Sequence, residues 1–188
     1  MYHKTNFKFK EDLKERILTK YIILHHSEVL SGHNIYDIHS WHQNKGWAGI
    51  GYHYFVDKKG NIYEGRPHQT EGAHARGYNT ESIGICFEGD FNKEAMGERQ
   101  INAAAMLIAL LKLVYYVYCP ELKMCRDLNQ ETDNPGRKFP FDKLNKKVNE
   151  FEGYLKILFG EPIEIADDRS TLGNFDYEKL LHLLDEVE

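Results

Sequence analysis

A short apolar run, Tyr21-Ile-Ile-Leu24, constrains the fold most, and two histidines follow it at once. A continuous run of this kind, rich in β-branched residues, is typical of a strand that is buried on both faces of a sheet. Such strands belong to α/β folds, in which helices cover the sheet. The run therefore predicts an α/β fold, and it places polar side chains at the end of a strand, where the ligand sites of such folds tend to form.

The rest of the chain alternates between strand and helix patterns. Helical periodicity is present in residues 35–44, 97–118 and 141–158, and strand patterns are present in residues 52–56, 61–64 and 82–87. Gly84 lies inside the last of these strands, which indicates a position where a side chain would not fit. Residues 121–140 are polar and rich in turn residues, so they are predicted to form a loop.

The predicted domain spans residues 21–159, and residues 1–20 precede it as an N-terminal extension. The extension is highly charged, but it carries an amphipathic patch at Leu13, Ile17 and Leu18. That patch predicts a short helix that packs on the domain.

The chain continues beyond this domain as an acidic tail, residues 160–188. Residues 176–187 within the tail are predicted to form a helix. Its apolar stripe consists of Leu180, Leu181 and Leu184. Such a stripe packs either on the chain's own domain or on a second copy of the chain, and we favour the first.

Composition and charge argue against several classes of function. The 188 residues have a net charge of -5 and no basic run, so nucleic acid is not an expected partner. The longest apolar stretch, residues 103–118, is interrupted by Lys112 and is too short to span a bilayer, so no membrane partner is expected either. Three cysteines without a Cys-x-x-Cys pair favour free thiols in a reducing compartment. With no apolar signal segment near Met1, we expect a cytoplasmic location, or release by lysis if a phage encodes the chain.

The placement of the histidines indicates where a site could form. His25 and His26 follow the buried strand directly, and adjacent strand residues point to opposite faces, so only one of them can face a given cleft. The alternative is that neither histidine belongs to a site: one imidazole is buried with its hydrogen bonds satisfied, and the other lies at the surface. His53 lies in an aromatic strand, where a structural role is favoured over a chemical one. Surface or packing roles are expected for His33, His39, His42, His68 and His182.

A glycine-flanked loop around His74 is a candidate binding segment. Arg76, Tyr78 and Asn79 follow the histidine within it. Glycines allow such a loop to approach a ligand closely, and its polar side chains can donate hydrogen bonds to carbonyl or hydroxyl groups. An ordinary polar connection is the alternative interpretation.

Six segments of the chain occur in an order that one protein family shares. The segments are Ile23-Leu-His-His-Ser27, Gly51-Tyr-His-Tyr54, Asp57-Lys-Lys-Gly-Asn-Ile-Tyr-Glu-Gly-Arg66, Gly72-Ala-His-Ala-Arg-Gly-Tyr-Asn79, Ser82-Ile-Gly-Ile-Cys-Phe-Glu-Gly89, and a last stretch with Arg126-Asp127, Pro135-Gly136 and Phe141-Asp-Lys-Leu144. Together they resemble the N-acetylmuramoyl-L-alanine amidase and peptidoglycan-recognition family. The resemblance covers about residues 20–150. It implies a single α/β domain with a central mixed β-sheet flanked by helices and a groove over one face.

The resemblance also implies a zinc ion that serves to hydrolyse the amide between N-acetylmuramic acid and L-alanine in peptidoglycan. The implied partner is therefore peptidoglycan or a muropeptide. His25 matches the first zinc ligand, Tyr52 matches the family's active-site tyrosine, and Thr132 matches the lysine or threonine that helps to stabilise the oxyanion. The segment that lines the substrate groove in the family is matched here by His74, Arg76, Tyr78 and Asn79.

Two of the three metal-ligand positions depart from the family's pattern. Cys125 stands where the family normally has a histidine, and Asn134 stands where it has a cysteine or an aspartate. A catalytic zinc needs about three protein ligands and an open position for water. The neutral amide oxygen of Asn134 suits calcium or magnesium better than zinc. His25 and Cys125 remain as candidate ligands, and Asp133 could supply a third if the loop shifts by one residue.

Three interpretations follow from this departure. In the first, which we favour, the groove binds peptidoglycan fragments. Zinc is then weakly bound or absent, and the amidase activity is weak or absent for that reason. Without a metal, water is a poor nucleophile at neutral pH. In the second, the chain is an active zinc amidase that uses His25, Cys125 and Asp133. In the third, the fold binds a different cytoplasmic small ligand.

Overall fold

The computed structural model describes residues 1–30, 32–115, 120–129 and 131–159. The predicted tail of residues 160–188, with its helix, lies outside this part of the chain. In chain order the elements are β1 (Tyr2–His3), β2 (Tyr21–His26), α1 (Ile35–Asn44), β3 (Tyr54–Val56), β4 (Ile62–Glu64), β5 (Ser82–Phe87), α2 (Glu98–Val114), β6 (Glu121–Met124), α3 (Cys125–Leu128) and α4 (Phe141–Phe159).

The six strands in the described ranges belong to one sheet with the order β1-β4-β3-β5-β2-β6. Only β3 and β4 pair in antiparallel fashion, and the other neighbours are parallel. The predicted central mixed sheet with flanking helices is therefore confirmed. The run that opens β2 is buried as expected, because Ile22, Ile23 and Leu24 are fully inaccessible to solvent.

The two faces of the sheet are covered by different helices. On one face, Ile22 and Leu24 join the large apolar core that includes the buried side of α2 and residues of α4. On the other face, Phe55 and Cys86 pack with Ile35 of α1. Because side chains alternate along a strand, His25 lies on the α1 face and His26 on the α2 face.

Residues 1–20 do not form the predicted helix, and that prediction is wrong. The patch residue Ile17 is 72% exposed, so it does not pack on the domain. The segment is extended instead: β1 pairs with β4, and the main chain between Lys14 and Arg16 bonds with the main chain of residues 69–71. These main-chain bonds make the N-terminal segment part of the packed domain.

The predicted loop of residues 121–140 begins with two regular elements, β6 and α3, so this prediction is wrong in part. Strand β6 is an edge strand with mixed polarity, and it gains its hydrogen bonds from β2 rather than from a strong pattern of its own. Helix α1 has the predicted bounds, and its Trp41 is 37% exposed. Helix α2 ends at Val114, and residues 116–119 lie outside the described part of the chain. No helix in the described ranges is both long and apolar enough to cross a membrane.

Candidate functional site

Four ring side chains meet on the α1 face, where β2 ends. The ring centroid of His25 lies 5.0 Å from that of His74 and 5.1 Å from that of Tyr52. The ring of His42, from α1, lies 5.6 Å from Tyr52. We call these four residues the aromatic cluster. The structure thus brings together three residues that the sequence singled out, His25, Tyr52 and His74, although they come from different parts of the chain.

Hydrogen bonds within the cluster define where the protons lie. Nε2 of His25 is 3.0 Å from Nδ1 of His74, and Nε2 of His74 is 3.4 Å from Oγ of Ser82. Because Ser82 donates its own hydroxyl proton to the carbonyl of Tyr78, His74 must donate to Ser82, and His25 must then donate to His74. This order leaves Nδ1 of His25 unprotonated, and no described residue donates a hydrogen bond to it.

Burial keeps both imidazoles of this pair neutral. Burial, together with the neighbouring His26 as a smaller cause, lowers the pKa of His25 to about 3. Burial also lowers the pKa of His74 well below its ordinary range, with His25 as the next largest cause. At neutral pH the pair therefore presents a fixed pattern of donors and acceptors rather than a positive charge.

The loop that carries His74 is shaped by Asn79. The side-chain oxygen of Asn79 accepts hydrogen bonds from the main-chain N–H groups of His74, at 2.8 Å, and Ala75, at 2.9 Å. A Cβ atom at Gly84 would lie 2.5 Å from the His74 ring, so the predicted close approach at this glycine is confirmed. Asn79 therefore holds the loop in place.

Two other candidate groove residues lie at the outer side of this loop. Arg76 is exposed, while the ring of Tyr78 packs edge-on against Tyr21, with 5.6 Å between centroids. Arg76 is thus accessible to a ligand, whereas the side chain of Tyr78 is partly buried.

The phenol and the thiols near His25 are protonated at neutral pH. Burial raises the pKa of Tyr52 well above its ordinary value, and the nearby thiols of Cys86 and Cys125 add to this effect. Burial also raises the pKa of Cys125, with the charge of Asp127 as a second cause. Cys125 is the first residue of α3, directly after the strand that pairs with β2. Its raised pKa opposes the thiolate form that binds metal ions.

The loop of residues 131–136 does not direct its polar side chains at His25. The amide of Asn134 bonds with the main chain of His26: Oδ1 accepts from the N–H at 3.1 Å, and Nδ2 donates to the carbonyl at 3.3 Å. The carboxylate of Asp133 lies 3.9 Å from Arg137. Thr132 accepts a hydrogen bond from the N–H of Asn134 through its hydroxyl, at 3.2 Å.

These donors do not fit the zinc site that the resemblance implies. Within the described ranges, no group of three or more His, Cys, Asp or Glu side chains is arranged to hold a metal ion. His25 offers one unprotonated nitrogen, but Asp133 is oriented toward Arg137 and Asn134 toward main-chain atoms of β2. A tetrahedral site would require the loop to rearrange.

Sequence reasoning missed Arg16, which lies behind the cluster and is 7% exposed. Its guanidinium donates to the carbonyls of Thr70, at 2.8 Å, and His68, at 2.6 Å, and lies 3.1 Å from Nε2 of His53. His53 in turn accepts from the N–H of Gly84 through Nδ1, which agrees with the structural role expected for it. Nothing in the sequence marks this arginine, because it stands among other charged residues.

Sequence reasoning also assigned only a packing or surface role to His42, which is a member of the cluster. Its Nδ1 accepts a hydrogen bond from the N–H of Gly51 at 3.0 Å, and its ring packs against Trp47, with 4.6 Å between centroids. Burial, with smaller contributions from the charges of Lys45 and Arg66, lowers the pKa of His42 to about 4. Its position four residues before Gly46, at the end of a helix, carries no signal of this proximity.

A cavity of about 310 Å³ lies apart from the aromatic cluster. It opens between the N-terminal segment and residues 64–69, and Phe7 and Phe9 form part of its wall. None of the four cluster residues lines it. The chemistry-bearing side chains therefore lie apart from this cavity, in a largely buried position at the end of β2, where His25 is 2% exposed.

Comparison with known proteins places the chain among peptidoglycan-directed relatives. The family described as N-acetylmuramoyl-L-alanine amidase matches residues 14–137. The endolysin of Enterobacteria phage T3 is 32% identical over 99 residues, which are 52% of this chain and 66% of that protein. Peptidoglycan-recognition protein SC2 of Drosophila melanogaster is 42% identical over 74 residues, 39% of this chain and 40% of that protein. The chain thus spans about two thirds or less of the length of these relatives.

Solved structures show the same likeness. The endolysin amidase LysCS of Clostridium intestinale URNW superposes with a TM-score of 0.74 at 34% identity, covering 79% of this chain and 95% of that one. Peptidoglycan recognition protein-LE, in complex with tracheal cytotoxin, a monomeric diaminopimelic acid-type peptidoglycan, superposes with a TM-score of 0.64 at 32% identity. That match covers 72% of this chain and 85% of the other.

Proposed function

Because the chain belongs to the N-acetylmuramoyl-L-alanine amidase family, we propose that it binds peptidoglycan fragments at the aromatic cluster and hydrolyses them weakly or not at all. One observation carries this proposal. The side chains that we propose to bind the ligand, His25, Tyr52 and His74, form one cluster, whereas Asn134, at a position matched to a metal ligand, is bonded to the main chain of His26.

The chemistry of the cluster suits a muropeptide. Such a ligand carries amide and hydroxyl groups, which need both donors and acceptors. The neutral His25 can accept through Nδ1, and the protonated phenol of Tyr52 can donate. The structural relative bound to a monomeric peptidoglycan supports the same ligand class for this chain.

The expected loss of hydrolysis follows from the lack of an activated nucleophile. Without a metal ion, water keeps a pKa near its bulk value and attacks an amide slowly. His25 is a poor general base at neutral pH, because burial lowers its pKa to about 3. Tyr52 can stabilise charge only as a hydrogen-bond donor, since burial raises its pKa well above the ordinary value.

An active zinc amidase that uses His25, Cys125 and Asp133 is the second candidate. It requires Cys125 to lose a proton against its raised pKa, and Asp133 to turn away from Arg137. This candidate is the main alternative to be tested, because the chain has the family's fold and His25 offers an unprotonated Nδ1 to a metal ion. A third candidate, binding of another small ligand, gains no support from the contacts at the cluster.

The test combines three measurements on the purified chain: the zinc content, the affinity for a soluble muropeptide, and the release of free amino groups from purified wall. We expect well under one zinc per chain, saturable muropeptide binding, and no amine release. The double variant Cys125→His with Asn134→Cys serves as the positive control for zinc, because it introduces the family's usual ligands.

The possible outcomes separate the three candidates. Tightly bound equimolar zinc, with wall cleavage that His25→Ala abolishes, would establish the active amidase. Absence of muropeptide binding, together with capture of a compound from a cytoplasmic metabolite extract, would establish the third candidate.

A further inference from the structure

The strand that carries His25 extends beyond its neighbour. The last pair between β2 and β6 is Leu24 with Met124, whereas β2 continues to His26. His26 is 1% exposed, so its main-chain N–H and carbonyl are shielded from water. Buried main-chain groups without partners are strongly unfavourable, and β6 can no longer supply them here.

Asn134 supplies both missing partners with a single side chain. Its Oδ1 accepts from the N–H of His26 at 3.1 Å, and its Nδ2 donates to the carbonyl of the same residue at 3.3 Å. A primary amide has the donor and acceptor of a peptide group, so it can take the place of the next residue of an edge strand. Asn134 is itself only 9% exposed.

The same residue is anchored to the rest of its loop. The main-chain carbonyl of Asn134 accepts from the N–H of Arg126 at 2.8 Å, and its N–H donates to Thr132. The guanidinium of Arg126 donates to the carbonyl of Gly136 at 2.6 Å. Helix α3 and residues 131–136 are therefore joined to β2 through the amide of Asn134 as well as through β6.

We infer that Asn134 acts as a metal-independent clip, that is, a side chain that joins α3 and residues 131–136 to the end of β2. A zinc ion shared between His25 and two loop residues would join the same two parts of the chain. Aspartate at this position would lack the donor, and cysteine would lack an amide's pair of groups, whereas asparagine has both. Its consequence is that the aromatic cluster keeps its arrangement without a metal, and this consequence rests on the proposed function.

Amide hydrogen exchange of the ligand-free chain tests the clip directly. In Asn134→Ala, the N–H of His26 should exchange at least about tenfold faster than in the wild type, because its acceptor is gone. Asn134→Asp keeps an acceptor but sets a carboxylate oxygen against the carbonyl of His26, so its melting temperature should fall. The matched control is Asn129→Ala, in the same part of the chain, where the amide oxygen accepts from the N–H of Glu131 and the side chain is exposed.

Metal dependence supplies a second measurement that needs no variant. The melting temperature of the wild type should change by less than about 1 °C between excess EDTA and excess zinc, because a ligand stabilises a fold only if it binds the folded state. A fall of several degrees in EDTA, or His26 exchange in Asn134→Ala at the wild-type rate, would overturn the inference.

These experiments fail independently of the proposed function, because no muropeptide is present in them. Intact muropeptide binding in a chain whose melting depends on metal would reject only the clip. A stable, metal-independent chain that binds no muropeptide would reject only the proposed function.

Discussion

The imidazoles of His25 and His74 share a hydrogen bond of 3.0 Å, which links the end of β2 to a loop 49 residues further along the chain. Both rings are neutral, and the order of protons leaves Nδ1 of His25 as an acceptor. The pair therefore acts as one unit, and a change in His74 also frees Nε2 of His25.

Substitution of His74 should weaken binding of a soluble muropeptide. In His74→Ala, the dissociation constant should rise at least about tenfold, because a ligand loses one neutral partner and meets a less ordered His25. Isothermal titration calorimetry measures the effect, with the melting temperature as a check on folding. His3→Ala is the matched control, since His3 stacks on Tyr63 at the opposite edge of the sheet. Unchanged affinity in His74→Ala would place the ligand elsewhere.

A methyl group at Gly84 should destabilise the fold and disturb the same pair. The added Cβ would lie 2.5 Å from the ring of His74, so Gly84→Ala should lower the free energy of unfolding by about 1–3 kcal/mol. Urea denaturation measures this change. Gly153→Ala is the control: this position in α4 has open space around it, and alanine there should raise stability by about 0.5–1 kcal/mol. Equal effects at the two glycines would contradict the packing of His74.

Stability should fall as the pH is lowered below about 6.5. Burial lowers the pKa of His25 to about 3 and that of His42 to about 4, whereas an unfolded chain protonates both near pH 6.5. The unfolded state thus gains protons that the folded state does not, so stability is complete above about pH 6.5 and is lost toward pH 4. Each histidine should cost about 1 kcal/mol at pH 5.5. Urea midpoints that stay constant from pH 7 to pH 5 would show that these imidazoles are not buried.

Removal of Arg16 should destabilise the chain although it lies outside the region predicted from sequence as the domain. In Arg16→Ala the carbonyls of Thr70 and His68 lose the hydrogen bonds that the guanidinium donates, which should lower the free energy of unfolding by about 2–4 kcal/mol. Arg99→Ala, at an exposed position of α2, should change it by less than about 0.5 kcal/mol. A loss in Arg16→Ala no larger than in this control would mean that the N-terminal segment is only loosely attached.

The parts of the fold that were predictable have strong local patterns. The bounds of α1 and β5 follow from periodicity and from a continuous apolar run, and the family resemblance placed His25, Tyr52 and His74 in one site. Strand β6 was not predicted, because the alternation of Glu121-Leu-Lys-Met124 is only four residues long within a polar, turn-rich stretch, and its pairing with β2 defines it.

The contacts that decide the chemistry were not predictable, since they join distant parts of the chain. Asn134 and His26 are 108 residues apart, and only the early end of β6 creates the need for their bond. Arg16 and Thr70 are 54 residues apart, and a buried arginine has the same sequence signature as an exposed one.

Calorimetric titration of a soluble muropeptide, once in excess EDTA and once with equimolar zinc, tests the central claim most directly. We predict the same saturable affinity in both titrations and no release of free amine during either. Binding that appears only with zinc, or amine released as the titration proceeds, would contradict a cluster that recognises its ligand without a metal.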